Sequence, residues 1–232
     1  MQARKARART PAPRDSADTI YNVPVQLTAA DRVRRAGERA AAAQARLATD
    51  ARATYIQEVL DANDSTVRRW PGRADVPVTV WIQSPAALAD FHFEYRTEVE
   101  RALVAWGAAA DIPVRFAVQV DSATANVRVL WTLHFADNRI GLTRIEAIND
   151  TIRQATITIA TQRTEGAPLA LQDVTRCALH EVGHLLGLAH TSDSTSIMAP
   201  ESRRQALSDR DRQTAQLLYA LPPGSIRLTA IR

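Results

Sequence analysis

The chain has 232 residues, of which 46% are hydrophobic and 23% are charged, and its formal net charge is +4. A chain of this length can bury one ordinary hydrophobic core, so we expect one main domain. Its single cysteine, Cys177, excludes an intramolecular disulfide framework and any zinc module that needs several cysteines. No apolar run approaches the roughly 18 residues of a membrane-spanning helix, and no signal peptide is visible in residues 1–20, which carry charge and proline.

The excess of positive charge lies near the N-terminus. Residues 1–50 hold 10 Lys and Arg against 5 Asp and Glu, and the rest of the chain is nearly neutral, with 19 basic and 20 acidic residues. The cluster contains no aromatic side chains that could stack on bases. We expect residues 1–27 to be a basic, disordered tail and expect no specific nucleic-acid partner, with a polyanion-binding arm as the alternative. The basic residues of this tail are Arg4, Lys5, Arg7, Arg9 and Arg14.

Residues 28–70 are rich in alanine and favour helix. Thr28 followed by Asp31 resembles a capping box, which marks a helix start. Few side chains in this segment are large and apolar, so we predict a helical segment that is peripheral to the core. Trp70, Pro71 and Gly72 then break the helical pattern.

From residue 74 onward, strand and helix patterns alternate. An amphipathic helix is predicted at 90–109, where five apolar side chains recur at helical spacing. The helical period returns from about residue 169. These elements predict an α/β (α+β) domain, 74–232, in which helices pack on a mixed sheet. The strand candidates are β-branched runs at 76–82, 113–120, 125–135, 140–145 and 155–161.

The segment HEVGHLLGLAH, residues 180–190, carries the strongest chemical signal. His180 and His184 are four residues apart, so both imidazoles project from one face of a helix and can reach one ion. Glu181 points about 100° around the helix, where a carboxylate can take a proton from water at the metal. Gly187 can adopt the left-handed conformation that ends the helix and turns His190 toward the same ion. The alternative is a set of helix histidines that bind no metal.

Other candidate ligands are weaker. Cys177 lies one turn before His180, and a small buried thiol is its expected role. His92 and His134 lie far from the motif in sequence, so we expect surface or half-buried side chains.

The motif His-Glu-x-x-His-x-x-Gly-x-x-His, together with SIMAP at 196–200, resembles the metzincin zinc endopeptidases, and most closely a minimal bacterial matrixin. The segment at 207–223 is similar to the C-terminal helix of matrixin catalytic domains. The resemblance implies a mostly parallel five-stranded sheet with an antiparallel edge strand, packed by two long helices and a C-terminal helix. It implies that Met198 forms the Met-turn, a hydrophobic floor beneath the zinc.

The resemblance also implies the activity. It predicts a zinc-dependent endopeptidase that hydrolyses peptide bonds with zinc-activated water and with Glu181 as general base, using one catalytic zinc bound by the three histidines. An extended protein or peptide substrate would pair with an edge strand formed by Ile140, Gly141, Leu142, Thr143 and Arg144. The paired histidines and aspartates of the family's structural zinc and calcium loops are not evident, and no cysteine lies upstream for a cysteine switch. Glu201 and Ser202 stand where many matrixins have a pocket tyrosine.

The sequence is compatible with two other functions. One is a metal-binding interaction module on the same fold, and the other is a narrow-specificity zinc amidohydrolase. The retained Glu181 favours an enzyme, because a site that only binds has no use for a base. We expect a monomer, and the resemblance favours a secreted or extracytoplasmic location.

Overall fold

The fold is built on a five-stranded sheet. The computed structural model describes residues 28–84, 88–109 and 112–227, and the tail expected at 1–27 lies outside them. A short strand β1 (Thr66–Val67) precedes this sheet in the chain and does not belong to it. In chain order the strands of the sheet are β2 (Arg73–Ile82), β3 (Val114–Gln119), β4 (Val127–Thr132), β5 (Gly141–Ile148) and β6 (Thr151–Ala160). They lie in the order β3-β2-β4-β6-β5. The pairs β2–β3, β2–β4 and β4–β6 are parallel and β5–β6 is antiparallel, so the predicted mixed sheet with an antiparallel edge strand is confirmed.

Strands β5 and β6 form a hairpin at one edge of the sheet. Asn149 and Asp150 connect them, with φ angles of 49° and 59°. Two consecutive left-handed residues form the kind of tight turn that matches the twist of a hairpin, and Asn and Asp adopt that conformation more readily than most residues. The turn keeps β5 against β6 for its whole length and leaves its other side at the sheet edge.

Two long helices pack on the sheet, and a third, C-terminal helix packs against the N-terminal segment at 51–61. They are α3 (Phe93–Ala109), α4 (Leu171–Leu185) and α5 (Asp209–Ala220). Trp106 on α3 is fully buried, and its indole Nε1 donates to the Leu179 carbonyl oxygen on α4 at 2.8 Å. This bond and the surrounding apolar contacts fix α4, which carries the histidine motif, against the core. Among the described residues, no helix is both long and apolar enough to cross a membrane.

The N-terminal segment begins with helix α1 (Ala29–Asp50), followed by a 3₁₀ turn (Ala51–Ala53) and helix α2 (Ile56–Asp61). The Thr28 hydroxyl accepts from the Asp31 backbone N–H at 3.1 Å, as the capping pattern predicts. A short strand, β1 (Thr66–Val67), then pairs antiparallel with β7 (Gly224–Ser225) near the C-terminus. Neither two-residue strand was predicted from the sequence.

Residues 54–70 do not fit the peripheral position predicted for the whole of 28–70. Trp70 has no exposed surface, and its Nε1 donates to the Leu185 carbonyl oxygen at the end of α4, at 2.9 Å. The prediction is therefore wrong for this stretch, because large side chains between Thr54 and Trp70 complete the core under the histidine motif. Those buried apolar side chains are Tyr55, Ile56, Val59, Leu60, Val67 and Trp70.

Candidate active site

The turn after helix α4 brings the third histidine of the motif beside the first two. Gly187 has a φ of +99°, the left-handed conformation that its sequence position predicts. A β-carbon at 187 would also collide with the backbone oxygen of Arg68, which packs against the turn. Glycine is therefore required here for two reasons, the direction of the backbone and the close approach of the N-terminal segment.

The three histidines form a compact cluster of ring nitrogens. His180 Nε2 lies 3.1 Å from both His184 Nε2 and His190 Nε2, and the latter two atoms are 3.3 Å apart. Nitrogens bound tetrahedrally to zinc at about 2.0–2.1 Å are separated by about 3.3 Å. Within the described residues, this is the one group of three or more His, Cys, Asp or Glu side chains close enough to share an ion.

Hydrogen bonds at the other ring nitrogen determine where two of these rings carry a proton. His180 Nδ1 lies 2.8 Å from the Ile197 carbonyl oxygen, and His184 Nδ1 lies 2.9 Å from the Leu188 carbonyl oxygen. A carbonyl oxygen only accepts, so each Nδ1 donates, and the neutral ring presents a lone pair at Nε2. Two lone pairs facing each other repel unless a cation lies between them. The donor set therefore fits zinc, which binds neutral imidazoles held in this way.

Burial favours the neutral form of all three rings. It lowers the pKa of His184 to about 4, and the neighbouring His180 ring adds to that shift. Burial also lowers the pKa of His180 and of His190. Because metal binding requires deprotonated imidazole nitrogens, the site is prepared for an ion at neutral pH.

Glu181 is not part of the cluster of ring nitrogens, and its carboxylate contacts strand β5. Its side chain is largely buried, at 5% exposure, but still lines the open cleft. Burial raises the pKa of Glu181 to about 7, although the hydrogen bond from Thr143 and the positive charge of Arg139 oppose the shift. The Thr143 hydroxyl donates to Glu181 Oε2 at 2.6 Å. A carboxylate with such a pKa can both take and return a proton near neutral pH.

Met198 lies fully buried in the turn that follows the third histidine. A β-carbon at Gly183 would collide with the Met198 sulfur, so the glycine lets α4 rest directly on this side chain. The preceding residue, Ile197, provides the carbonyl oxygen that His180 Nδ1 contacts. The turn thus packs against the helix that carries the histidines and orients the His180 ring.

A buried carboxylate, Asp211 on α5, holds this turn through contacts that no sequence pattern indicates directly. Its oxygens accept from the Ser196 hydroxyl and, at 3.2 Å, from the Ile197 backbone N–H. The Tyr55 hydroxyl donates to the same carboxylate at 3.1 Å. The Ser208–Asp211 spacing is that of a capping box, so the sequence could have indicated the start of α5 but not the contact with the turn.

Glu58 on α2 is a second residue that sequence reasoning missed. Its carboxylate accepts from the Ser192 backbone N–H at 2.6 Å and from the Thr191 hydroxyl at 2.9 Å. These residues directly follow His190, so Glu58 holds the loop that positions the third ring. No local pattern around Glu58 indicates this contact, because its partners are more than 130 positions away in sequence.

A cleft of about 1650 Å³ runs past the histidines. One wall is β5, where Gly141 and Thr143 face Glu181, and Leu142 and Arg144 reach a smaller cavity of about 400 Å³. Ile140 precedes the strand and accepts from the Ala160 backbone N–H at 2.9 Å. Four of the five residues of the predicted substrate-binding edge, Ile140 to Thr143, therefore line the cleft, whereas Arg144 lines the smaller cavity.

Residues 199–203, after the Met198 turn, also line the cleft. Glu201 is exposed, whereas Ser202 is buried and its hydroxyl donates to the Ser196 carbonyl oxygen at 2.8 Å. The position after Glu201 therefore supports the turn and does not project a large side chain into the cleft.

The remaining candidate ligands lie outside the histidine cluster. Cys177 is buried beneath β5, and burial raises its pKa well above the ordinary range of a thiol. Its sulfur is close to Gly141, where a β-carbon would approach it to 2.5 Å. His92 and His134 are not part of the cluster.

Comparison with protein families agrees with this geometry. A family model for the matrixin peptidases matches residues 81–220, which is more than half of the chain. The matched range contains the sheet from Trp81 to β6, the histidine motif, the Met198 turn and α5. Matrixins are zinc metallopeptidases that act on proteins or peptides, and the three histidines fit the zinc site of such an enzyme. The chain belongs to the matrixin family.

Proposed function

We propose that this protein is a zinc endopeptidase in which His180, His184 and His190 bind one catalytic zinc and Glu181 is the general base. The observation that carries the proposal is the convergence of three Nε2 atoms within 3.1–3.3 Å, two of them on rings whose Nδ1 donates to a backbone carbonyl. Zinc bound there would supply a Lewis acid that lowers the pKa of water and polarises the scissile carbonyl.

Glu181 would handle the proton during peptide hydrolysis. Its carboxylate takes a proton as a water oxygen bonds to the scissile carbonyl carbon, and then delivers that proton to the amide nitrogen as the carbon–nitrogen bond breaks. The products are a carboxylic acid and an amine, and Glu181 returns to its starting state. Thr143 donates to one oxygen of the ionised carboxylate, which leaves the other oxygen available to the water.

The cleft shape favours an extended peptide over a small amide. Strand β5 is eight residues long and lies at the sheet edge, and five of its residues line the cleft. A strand that is added to such an edge obtains its affinity from main-chain hydrogen bonds. We propose that Ile140 to Arg144 bind the substrate backbone next to the zinc. A narrow amidohydrolase would have no use for so long an edge. Matrixins are typically extracellular, and we propose the same location for this enzyme.

Zinc titration combined with a cleavage assay tests this function. The metal-free protein should bind one zinc per chain, and the zinc-loaded protein should cleave an unfolded generic protein such as reduced casein. His184→Ala should lose zinc and cleavage together, whereas His134→Ala, a control that removes a histidine outside the cluster, should keep both. A zinc stoichiometry unaffected by His184→Ala would refute the site. Zinc binding without cleavage would favour the metal-binding interaction module.

A further inference from the structure

The carboxylate of Glu181 is held by strand β5 as well as by its own helix. Thr143 Oγ1 lies 2.6 Å from Glu181 Oε2 and 3.0 Å from the Glu181 backbone oxygen. Within the part of the chain that the structure describes, Thr143 is the one hydrogen-bond donor to this carboxylate, which forms no ion pair there. The contact joins residues 38 positions apart, so it depends on how β5 crosses α4.

Gly141 completes the arrangement two residues earlier on the same face of the strand. A β-carbon at 141 would lie 2.5 Å from Glu181 Oε1 and 2.5 Å from the Cys177 sulfur. Such distances are too short for any side chain, so the glycine provides the space that Oε1 occupies. One carboxylate oxygen is thus bound by a hydroxyl, and the other lies free in a space kept open by the glycine.

We propose that Thr143 is a positioning residue for Glu181, a role that rests on the proposed endopeptidase function. A threonine hydroxyl has one proton and can donate to only one of its two neighbouring oxygens at a time. The shorter bond, to a carboxylate, is the stronger kind because the acceptor is charged. Thr143 therefore restricts Glu181 to one rotamer, with Oε1 available for the proton of the attacking water.

The same hydroxyl fits both states of Glu181. When Oε1 carries the proton, Thr143 can rotate toward the Glu181 backbone oxygen at 3.0 Å without movement of the strand. Glu181 must lose its proton before the next turnover, and the Thr143 hydroxyl can then donate to the carboxylate again without a rearrangement of the strand. Thr143 acts through Glu181 and does not itself exchange a proton with the substrate.

Substitution of Thr143 by valine and by serine tests this role. Valine keeps the branched shape that suits a strand but removes the hydroxyl, whereas serine keeps the hydroxyl. We expect Thr143→Val to lower kcat by about 10–100-fold, the range expected for the loss of a hydrogen bond to a charged group, with KM changed by less than about twofold. Thr143→Ser should stay within about threefold of the wild-type kcat.

Zinc affinity provides a readout other than turnover. Competition with a chelator should give the same zinc affinity for wild type, Thr143→Val and Thr143→Ser, because Thr143 contacts no ligand ring. Thr158→Val is the matched control, since Thr158 pairs with Leu142 and lines the cavity on the other face of the sheet. It should change neither zinc affinity nor kcat.

Four outcomes separate the possibilities. An unchanged kcat in Thr143→Val would overturn the positioning role alone. Equal losses in Thr143→Val and Thr143→Ser would assign the effect to packing, and a parallel loss of zinc affinity would assign Thr143 to the structure of the metal site; either result overturns the role. A zinc-loaded wild-type protein that cleaves no peptide would overturn the proposed function, and the positioning role with it.

Discussion

Helix α1 and the stretch from Thr54 to Trp70 both precede residues 81–220, the range that the matrixin family model matches. They pack against the rest of the molecule in different ways. Helix α1 rests on two buried alanines, Ala40 and Ala43, and most of its surface is exposed. The second stretch contributes large buried side chains and the Glu58 carboxylate that holds the loop after His190. The two parts should therefore contribute unequally to the fold and to the site.

The difference shows that a catalytic core can extend beyond the range that a family model matches. Trp70 lies eleven residues before the match begins, yet its indole donates to the end of the histidine helix. Arg68 packs its backbone oxygen against Gly187, where the motif turns. We infer that the catalytic unit starts near residue 51 and not at 74, the boundary predicted from the strand and helix patterns.

Removal of residues 1–72 should have the largest effect. A chain that begins at Arg73 lacks Trp70 and five other large core side chains, each of which typically stabilises a fold by about 2–5 kcal/mol. Their sum is as large as or larger than the total stability of about 5–15 kcal/mol that is usual for a domain. We expect no cooperative thermal transition by circular dichroism. A folded, zinc-binding chain starting at Arg73 would contradict the role of this stretch.

Glu58→Ala should have an intermediate effect on the metal site. This substitution removes the acceptor of the Ser192 N–H and the Thr191 hydroxyl, so the loop after His190 loses its hydrogen bonds to α2. Loss of an outer partner of a metal ligand typically weakens metal binding by 10–100-fold, and we expect about 10-fold in zinc affinity by chelator competition. Gln57→Ala, a change at the exposed neighbouring position, is the control and should leave zinc affinity unchanged. Equal zinc affinity in Glu58→Ala and wild type would show that the loop is held without Glu58.

Removal of α1 should have the smallest effect. A chain that begins at Asp50 loses the contacts of Ala40, Ala43 and the half-buried Leu47, and the hydrogen bond from Gln44 to the Ile226 carbonyl oxygen. At about 0.8 kcal/mol per buried methyl-sized group and about 1 kcal/mol each for Leu47 and the hydrogen bond, the cost is about 3–4 kcal/mol. Differential scanning calorimetry should show a melting temperature lower by about 6–15 °C, with zinc content and cleavage rate retained. Loss of cleavage in a folded protein would give α1 a role in substrate binding.

The sequence predicted those parts of the fold that depend on local pattern. Alternating β-branched residues located all five sheet strands, and the spacing of His180 and His184 placed both on one face of α4. Gly187 was recognised because a third ligand needs a turn that glycine allows. Each of these features is encoded within about ten residues, so periodicity and spacing are sufficient to detect it.

The parts that were not predicted depend on contacts between distant positions. Strands β1 and β7 are two residues long and exist only because they pair with each other across the chain. The bonds of Glu58 to Ser192 and of Thr143 to Glu181 likewise join residues that only the folded topology brings together. An isolated acid or threonine has no periodic signal, so its partner could not be inferred from spacing.

The role of Glu181 as the base at a zinc site is best tested with Glu181→Gln, assayed for zinc content and peptide turnover in the same sample. Glutamine keeps an oxygen that can accept from Thr143 but cannot act as a base, so the variant isolates the proton transfer from the geometry. We expect one zinc per chain, as in wild type, with turnover lower by at least about 10²–10⁴-fold. A Glu181→Gln protein that binds zinc and cleaves peptide at nearly the wild-type rate would contradict this role.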